Sequence, residues 1–474
     1  MDAEARHLLN RFSYGITPAL AHECTSHGGS HHWLEHQMRP HKIRDEFANG
    51  LTHWYKTRSL SPHELWQHVQ HGNLTGWDVN ADLARWTLLR RIYSRRQLLE
   101  VMTEFWSNLL HVPVPNEKAW PHRRGYDLMI RHHALGRFDK MLHAAITHPA
   151  MGCYLDNAES TRVNPNENLG RELLELHTVG RLAGYSEADV KQSAQILTGY
   201  RVDMWNTWKP YYSPADHHVG KVGILGFHSA NRKHDGRPVT AAYLHYLAHH
   251  PLTAHRIALR LATRFISDDP SPHVVADIAK VFHHSGTDIK ASLRALVKHR
   301  EFKQSAGAKT RTPSEDAVAT MRVAGVRAKK PTGRDSDFAV AVLYQAEVMG
   351  QKPFDWPRPD GFPDAAQTWS SVSRVLGSWS VHYSIAGGWY PTTAVRYRTP
   401  KEWMPRLPAR FDEVLDHVSR QILARPASDN LLHAACTATE IKRYERITHD
   451  HPLLIWKMPR LLHTVLDTPT HMTR

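Results

Sequence analysis

Apolar residues recur along this chain at the spacing of a helix face and almost nowhere with the strict alternation of a strand. Over residues 80–111 the stripe is Trp86, Leu89, Tyr93, Leu98, Met102, Phe105, Trp106 and Leu110, mostly three to four apart. Similar patterns cover residues 2–10, 17–39, 123–147, 238–305, 314–327, 336–350 and 408–474. They predict a mainly α, multi-helix globular fold with long irregular loops and at most a few short strands. Residues 200–237 are irregular and rich in Trp, Tyr, His and Gly; short strands are expected there, in a loop too long to lack a task. A basic linker at 306–313 suggests a division. Residues 1–305 would form the main helical domain, and 306–474 a smaller helical part packed on it.

Within the main part, one stretch departs from ordinary helix composition. Asn164 to His177 (NPNENLGRELLELH) holds three Asn, three Glu, an Arg and a His in fourteen residues. Asn164 fits an N-cap, Pro165 the first helical position and Glu167 the capping-box acid, with the helix ending before Gly180. On such a helix Glu167, Arg171 and Glu175 share one face, and two i,i+4 ion pairs would each add about 0.2–0.5 kcal/mol. A capped, solvated helix explains those residues. It gives no task to Asn166, Asn168 and Glu172. If that face meets a polar cavity, Glu172 and Glu175 become an acid/base pair or ligands of a divalent metal, with His177 beside them. Asn166, Asn168 and Arg171 would bind substrate. Asp156-Asn157 adds a catalytic carboxylate and a binding amide. His217 and His228, on the aromatic loop, are further possible metal ligands. Trp205, Trp208, Tyr211 and Tyr212 suit either sugar stacking or core packing.

Several segments together carry a resemblance. They are Asn10–Gly15, Glu104–Asn108, His148–Met151, Tyr154–Asn157, the motif itself, Gly184-Tyr185 to Gly199-Tyr200, His250–Ala254, Gly350–Phe354, Pro359–Asp364 and Trp369. In order and spacing the chain resembles the large bacterial domain-of-unknown-function family numbered 1800. The resemblance implies a largely helical fold and no agreed reaction. Its genes often neighbour a sulfatase-like family numbered 1501, which implies a shared task on a sulfated, phosphorylated or carbohydrate polymer. Two departures bear on activity: Leu109 stands where many relatives have His, and His218 where many have Asp.

Net charge is +14, from 60 Lys and Arg against 46 Asp and Glu, with 37 His, so an anionic partner is one reading. The basic residues are dispersed; Arg90-Arg91 and Arg95-Arg96 are spaced as on one exposed helix face. The three Cys, Cys24, Cys153 and Cys436, are isolated and read as small buried residues. P-loop, dinucleotide, zincin, serine-hydrolase and kinase signatures are missing. No apolar run of membrane-spanning length occurs. The start, Met1–Arg6, is not a secretory signal; a cytoplasmic chain is expected, while the resemblance leaves room for export among relatives. Three functions stand open. One is an enzyme with a polar, metal-dependent or metal-free site acting on a carbohydrate-like or anionic polymer. Another is a non-catalytic helical partner of a sulfatase-like protein. The last is a nucleic-acid binder.

Overall fold

A computed structural model describes all residues, 1–474. It is 60% helical, with 25 α-helices and four two-stranded antiparallel ribbons. The mainly α expectation holds. Local signals account for many boundaries: Ser186 caps the helix Glu187–Leu197, and Asp189 returns a bond to the cap's N–H. The 80–111 stripe forms two helices, Gly76–Tyr93 and Gln97–Leu109. The aromatic loop holds two ribbons, Tyr200–Val202 with Pro210–Tyr212 and Val222–Ile224 with Phe227–Ser229. No helix is long and apolar enough to cross a membrane.

One expectation fails in an instructive way. Arg90 and Arg91 are not exposed; both are buried. Arg90 Nε donates to Glu100 Oε1 at 3.0 Å and Arg91 Nη1 to Glu104 Oε1 at 2.7 Å. These two buried cations persist because each meets a carboxylate.

A core of 88 buried residues draws on the chain from Ala5 to Ile385. A second, of 21, runs from Val323 to Leu466. The helix Pro313–Val323 touches both. A polar joint also ties them: His382 lies 3.2 Å from Asp316 through Nε2 and 2.8 Å from Asp467 through Nδ1.

The loop 351–364 docks on the large core next to the helix Gln97–Leu109. Val114 N donates to Phe354 O at 2.9 Å, and His111 Nε2 to Trp356 O at 2.8 Å. The Arg123 guanidinium stacks 4.1 Å from the Phe354 ring. At Gly361, with φ +69°, a Cβ would lie 2.0 Å from Asn108 O. Only glycine lets the two backbones approach this closely.

Candidate functional site

The Asn/Glu-rich motif folds differently from its predicted single helix. The α-helix begins at Asn168, not Pro165, with Glu167 at the cap position and no side-chain cap bond there. Asn166 Oδ1 accepts from Asn168 N at 2.9 Å, while the Asn164 N–H donates to Thr161 Oγ1. Asn166 thus takes the bonding task assigned to Asn164. After Glu172 the backbone widens into a π-turn, Leu173–His177. Thr178 Oγ1 donates to Leu173 O at 2.6 Å and Gly180 N to Leu174 O at 2.8 Å, satisfying carbonyls that a plain α-helix would bond internally. The extra residue rotates the downstream side chains. Leu174 is buried beside Leu169 and Leu173, and Leu176 is only half-buried. Such turns recur at functional sites.

The rotation redistributes the charges. Arg171 keeps Glu167, at 3.2 Å, but its other partner is Glu187, at 2.8 Å, not Glu175. Glu175 pairs with Arg181 Nε at 2.7 Å and accepts from Tyr185 OH at 3.4 Å. Asn168 Nδ2 donates to Asp156 Oδ2 at 3.1 Å, and Lys118 Nζ meets Asp156 Oδ1 at 2.8 Å and Glu159 at 2.7 Å. Asp156 itself adopts a left-handed φ of 58°, a conformation Asp tolerates at modest cost.

Glu172 is half-buried and engaged in no hydrogen bond or ion pair of these kinds. Burial, then Glu175, push its carboxyl above the ordinary range; Arg171 pulls the other way and Asp360 adds to the rise. Burial, then Glu172 and Asp360, also push the Tyr154 phenol up to about 12. Glu172, Tyr154 and Asp360 therefore sense one another's charge across the chain. Asp360 is held by the docked loop, its Oδ1 accepting from Trp356 Nε1 at 2.7 Å. The sequence reading missed Asp360 and Tyr154 as site residues. The available signal was Asp360-Gly361, a carboxylate beside a glycine that the fold uses for close approach.

The histidines named from sequence do not converge with the motif carboxylates. His177 is buried and donates Nδ1–H to Leu109 O at 2.9 Å; its Nε2 has no partner. Burial pushes its pKa down to about 4, which keeps the ring neutral. The position occupied by Leu109 therefore meets His177 through its backbone. His217 uses both ring nitrogens, on Thr198 O and Asn231 Oδ1, each at 3.1 Å. His228 is exposed on a hairpin. His218 takes a bond from Asn231 Nδ2 at its carbonyl. Groups of three with ligand atoms within 4.8 Å occur elsewhere: Asp139/His245/His249, His273/Asp277/His299 and Asp316/His382/His471.

Asn157 lies on the other side of the Asp156 turn. Its Nδ2 donates to Leu197 O at 3.1 Å, and its Oδ1 is buried without a donor. It lines a cavity of about 220 Å³ with His148, Arg201, Tyr200, Tyr211 and Tyr212. Burial pushes His148 down to about 3, so it enters this cavity neutral. Trp208, by contrast, is fully buried and belongs to packing.

A family model described as a protein of unknown function (DUF1800) matches residues 7–473, and the chain belongs to that family. No curated protein and no solved structure matches it.

Proposed function

We propose, from membership of a family with no assigned reaction and from the surroundings of Glu172, that the chain is an acid–base enzyme acting on a carbohydrate-like or anionic polymer. The observation that carries this reading is a half-buried carboxyl without a partner, its pKa raised, beside a second carboxylate. A carboxyl whose pKa is raised is suited to act as a general acid; a nearby carboxylate supplies the base or stabilises developing positive charge. Glu172 takes the first role. Asp360, held by Trp356, takes the second. The cavity lined by Asn157, Tyr200, Tyr211 and Tyr212 offers polar groups and flat faces, a pairing that suits a sugar ring. Asp156, Asn166, Asn168 and Arg171 are tied to one another or to nearby acids, so they position the turn. A divalent metal on Glu172, Glu175, His177, His217 and His228 is not needed for this chemistry.

Release of reducing ends from plain and sulfated polysaccharides tests the reading, with Glu172→Gln and Asp360→Asn beside the wild type. Cleavage that falls at least about 10²-fold in both variants is expected. Cleavage undiminished in Glu172→Gln overturns the assignment of the acid.

A second reading, a docking partner of a sulfatase-like protein, has one observation in its favour. Val372, Leu376, Trp379 and Tyr383 all stand exposed along the helix Val372–Gly387, an apolar stripe of the kind that marks protein contacts. Co-purification lost on Leu376→Lys/Tyr383→Lys, with polysaccharide cleavage absent, would favour it. For nucleic acid no such observation exists: Arg11, Arg90, Arg91, Arg264 and Arg311 are buried, and do not contribute to a basic surface stripe.

A further inference from the structure

The first helix, Ala3–Phe12, the end of the helix Phe411–Ile422 and the chain's last residues enclose a cavity of about 380 Å³ at the seam of the two cores. Its lining includes Arg6, His7, Asn10, Arg311, Arg425 and His471, and no Asp or Glu. Arg474 also lines the cavity and meets Glu315 at 3.3 Å behind it, but no carboxylate side chain stands in the lining itself. Arg6 and Arg425 take part in no ion pair closer than 4.0 Å, unlike the arginines of the core networks. Burial, then the Arg425 guanidinium, pull Arg6 below its ordinary pKa, as expected of like charges held close.

Arg311 is buried beneath them. Its Nε donates to His471 O at 2.8 Å and its Nη2 to Asn10 Oδ1 at 3.3 Å. Its Nη1 is buried with no acceptor. Glu315 and Asp316 act on this guanidinium through charge, yet an N–H without an acceptor is still costly, and a fork with one free donor is suited to an oxyanion. His7 gives one nitrogen to Phe302 O at 2.7 Å, and its Nδ1 is also unpartnered.

We propose that this seam cavity is a binding site for a small phosphate- or sulfate-bearing solute, held by Arg311 at its base and by Arg6 and Arg425 at its rim. The volume admits one such group with a small organic body, not a polymer chain. The site is separate from Glu172 and stands whether or not the acid–base reading does. Because its walls come from both cores, an occupied site would also fasten one to the other.

Isothermal titration of the whole chain with inorganic phosphate and, separately, inorganic sulfate tests this at constant ionic strength set with chloride. Saturable binding of one equivalent of either anion is expected; the tighter of the two names the class. Arg6→Gln/Arg425→Gln, at the partly exposed rim, should weaken it about tenfold or more, as should Arg311→Lys, which keeps charge but loses the fork. Arg232→Gln/Lys233→Gln removes equal charge from an exposed loop and should leave affinity unchanged. Absence of saturable binding for both anions overturns the proposal. So does equal weakening in the loop control, or unchanged affinity in the rim double variant.

Discussion

Two groups of carboxylates in this molecule have opposite surroundings. In the large core Glu104, Glu315 and Asp364 converge on Arg264, at 3.0, 2.7 and 3.1 Å. Arg91 and Arg474 add further cations. At the motif, Glu172, Glu175 and Asp360 raise the burden of negative charge, and Glu172 has no cation of its own. Burial alone would push Glu315 up as it does Glu172, but Arg264 and Arg474 more than offset it and hold Glu315 down to about 2. The first group is saturated and serves to join helices. In the second, Glu175 and Asp360 keep surface arginines, Arg181 and Arg358, while Glu172 is left without one, which is the condition for holding a proton that can be given away. A count of acidic residues does not separate the two; the partners do.

The sharpest break in the comparison is Arg264→Ala. It strands three carboxylates in the core, and a buried pair broken from one side costs about 3–5 kcal/mol. Denaturant unfolding measures it. A loss below 1 kcal/mol would mean the saturated group is not structural.

The polar joint between the cores gives a pH-dependent form of the same test. Burial works against the charge on His382, yet Asp316 and Asp467 push it up to about 9. Its folded pKa thus lies above the unfolded value of about 6.5. The stabilisation is complete below that unfolded value and is lost as pH rises through 9, up to roughly 3 kcal/mol. Melting temperature should therefore fall between pH 7 and 9.5, and His382→Gln should flatten that fall. A parallel decline in both proteins would place the pH dependence elsewhere.

Gly361→Ala should connect the loop to the unsaturated group. A methyl at φ +69° and 2.0 Å from Asn108 O forces the loop off the helix Gln97–Leu109, for about 2 kcal/mol. Asp360 moves with it, so the Glu172 carboxyl, followed by carbon-13 NMR, should titrate closer to its ordinary value. An unaltered titration would show that Asp360 does not act on Glu172.

Much of this fold was readable because its cause is local. Helical periodicity, the Ser186–Asp189 cap and the Pro149 restart each depend on a few adjacent residues. The motif was half-readable. Its composition marked the place, but the π-turn depends on Thr178 and Gly180 bonding back to Leu173 and Leu174, a choice that helix propensity does not encode. Arg171 likewise chose Glu187 across two helices over Glu175 on its own. Asp360 was out of reach, since it meets Glu172 from far along the chain through a loop fixed by Gly361 and Trp356. The basic cavity was hidden for the same reason: Arg6, Arg311 and Arg425 are remote in sequence, and each alone resembles a solvated charge.

The smallest expected change in stability is the most discriminating. Glu172→Gln keeps shape and removes a carboxyl that the fold holds uncomfortably. A raised folded pKa means the folded state prefers the protonated form, so stability falls as pH climbs from the unfolded value of about 4.3 through the folded one. Glutamine lacks that penalty. At neutral pH the variant should be as stable as the wild type or a few tenths of a kcal/mol more so, the half-exposed position being screened by solvent. Its gain should vanish below pH 4, where the wild-type carboxyl is protonated in both states. Gain of stability with loss of cleavage is the trade expected of a functional residue. A loss of 2 kcal/mol or more would instead place Glu172 with Glu104 and Glu315, as a carboxylate the fold depends on, and would dissolve the contrast between the two groups.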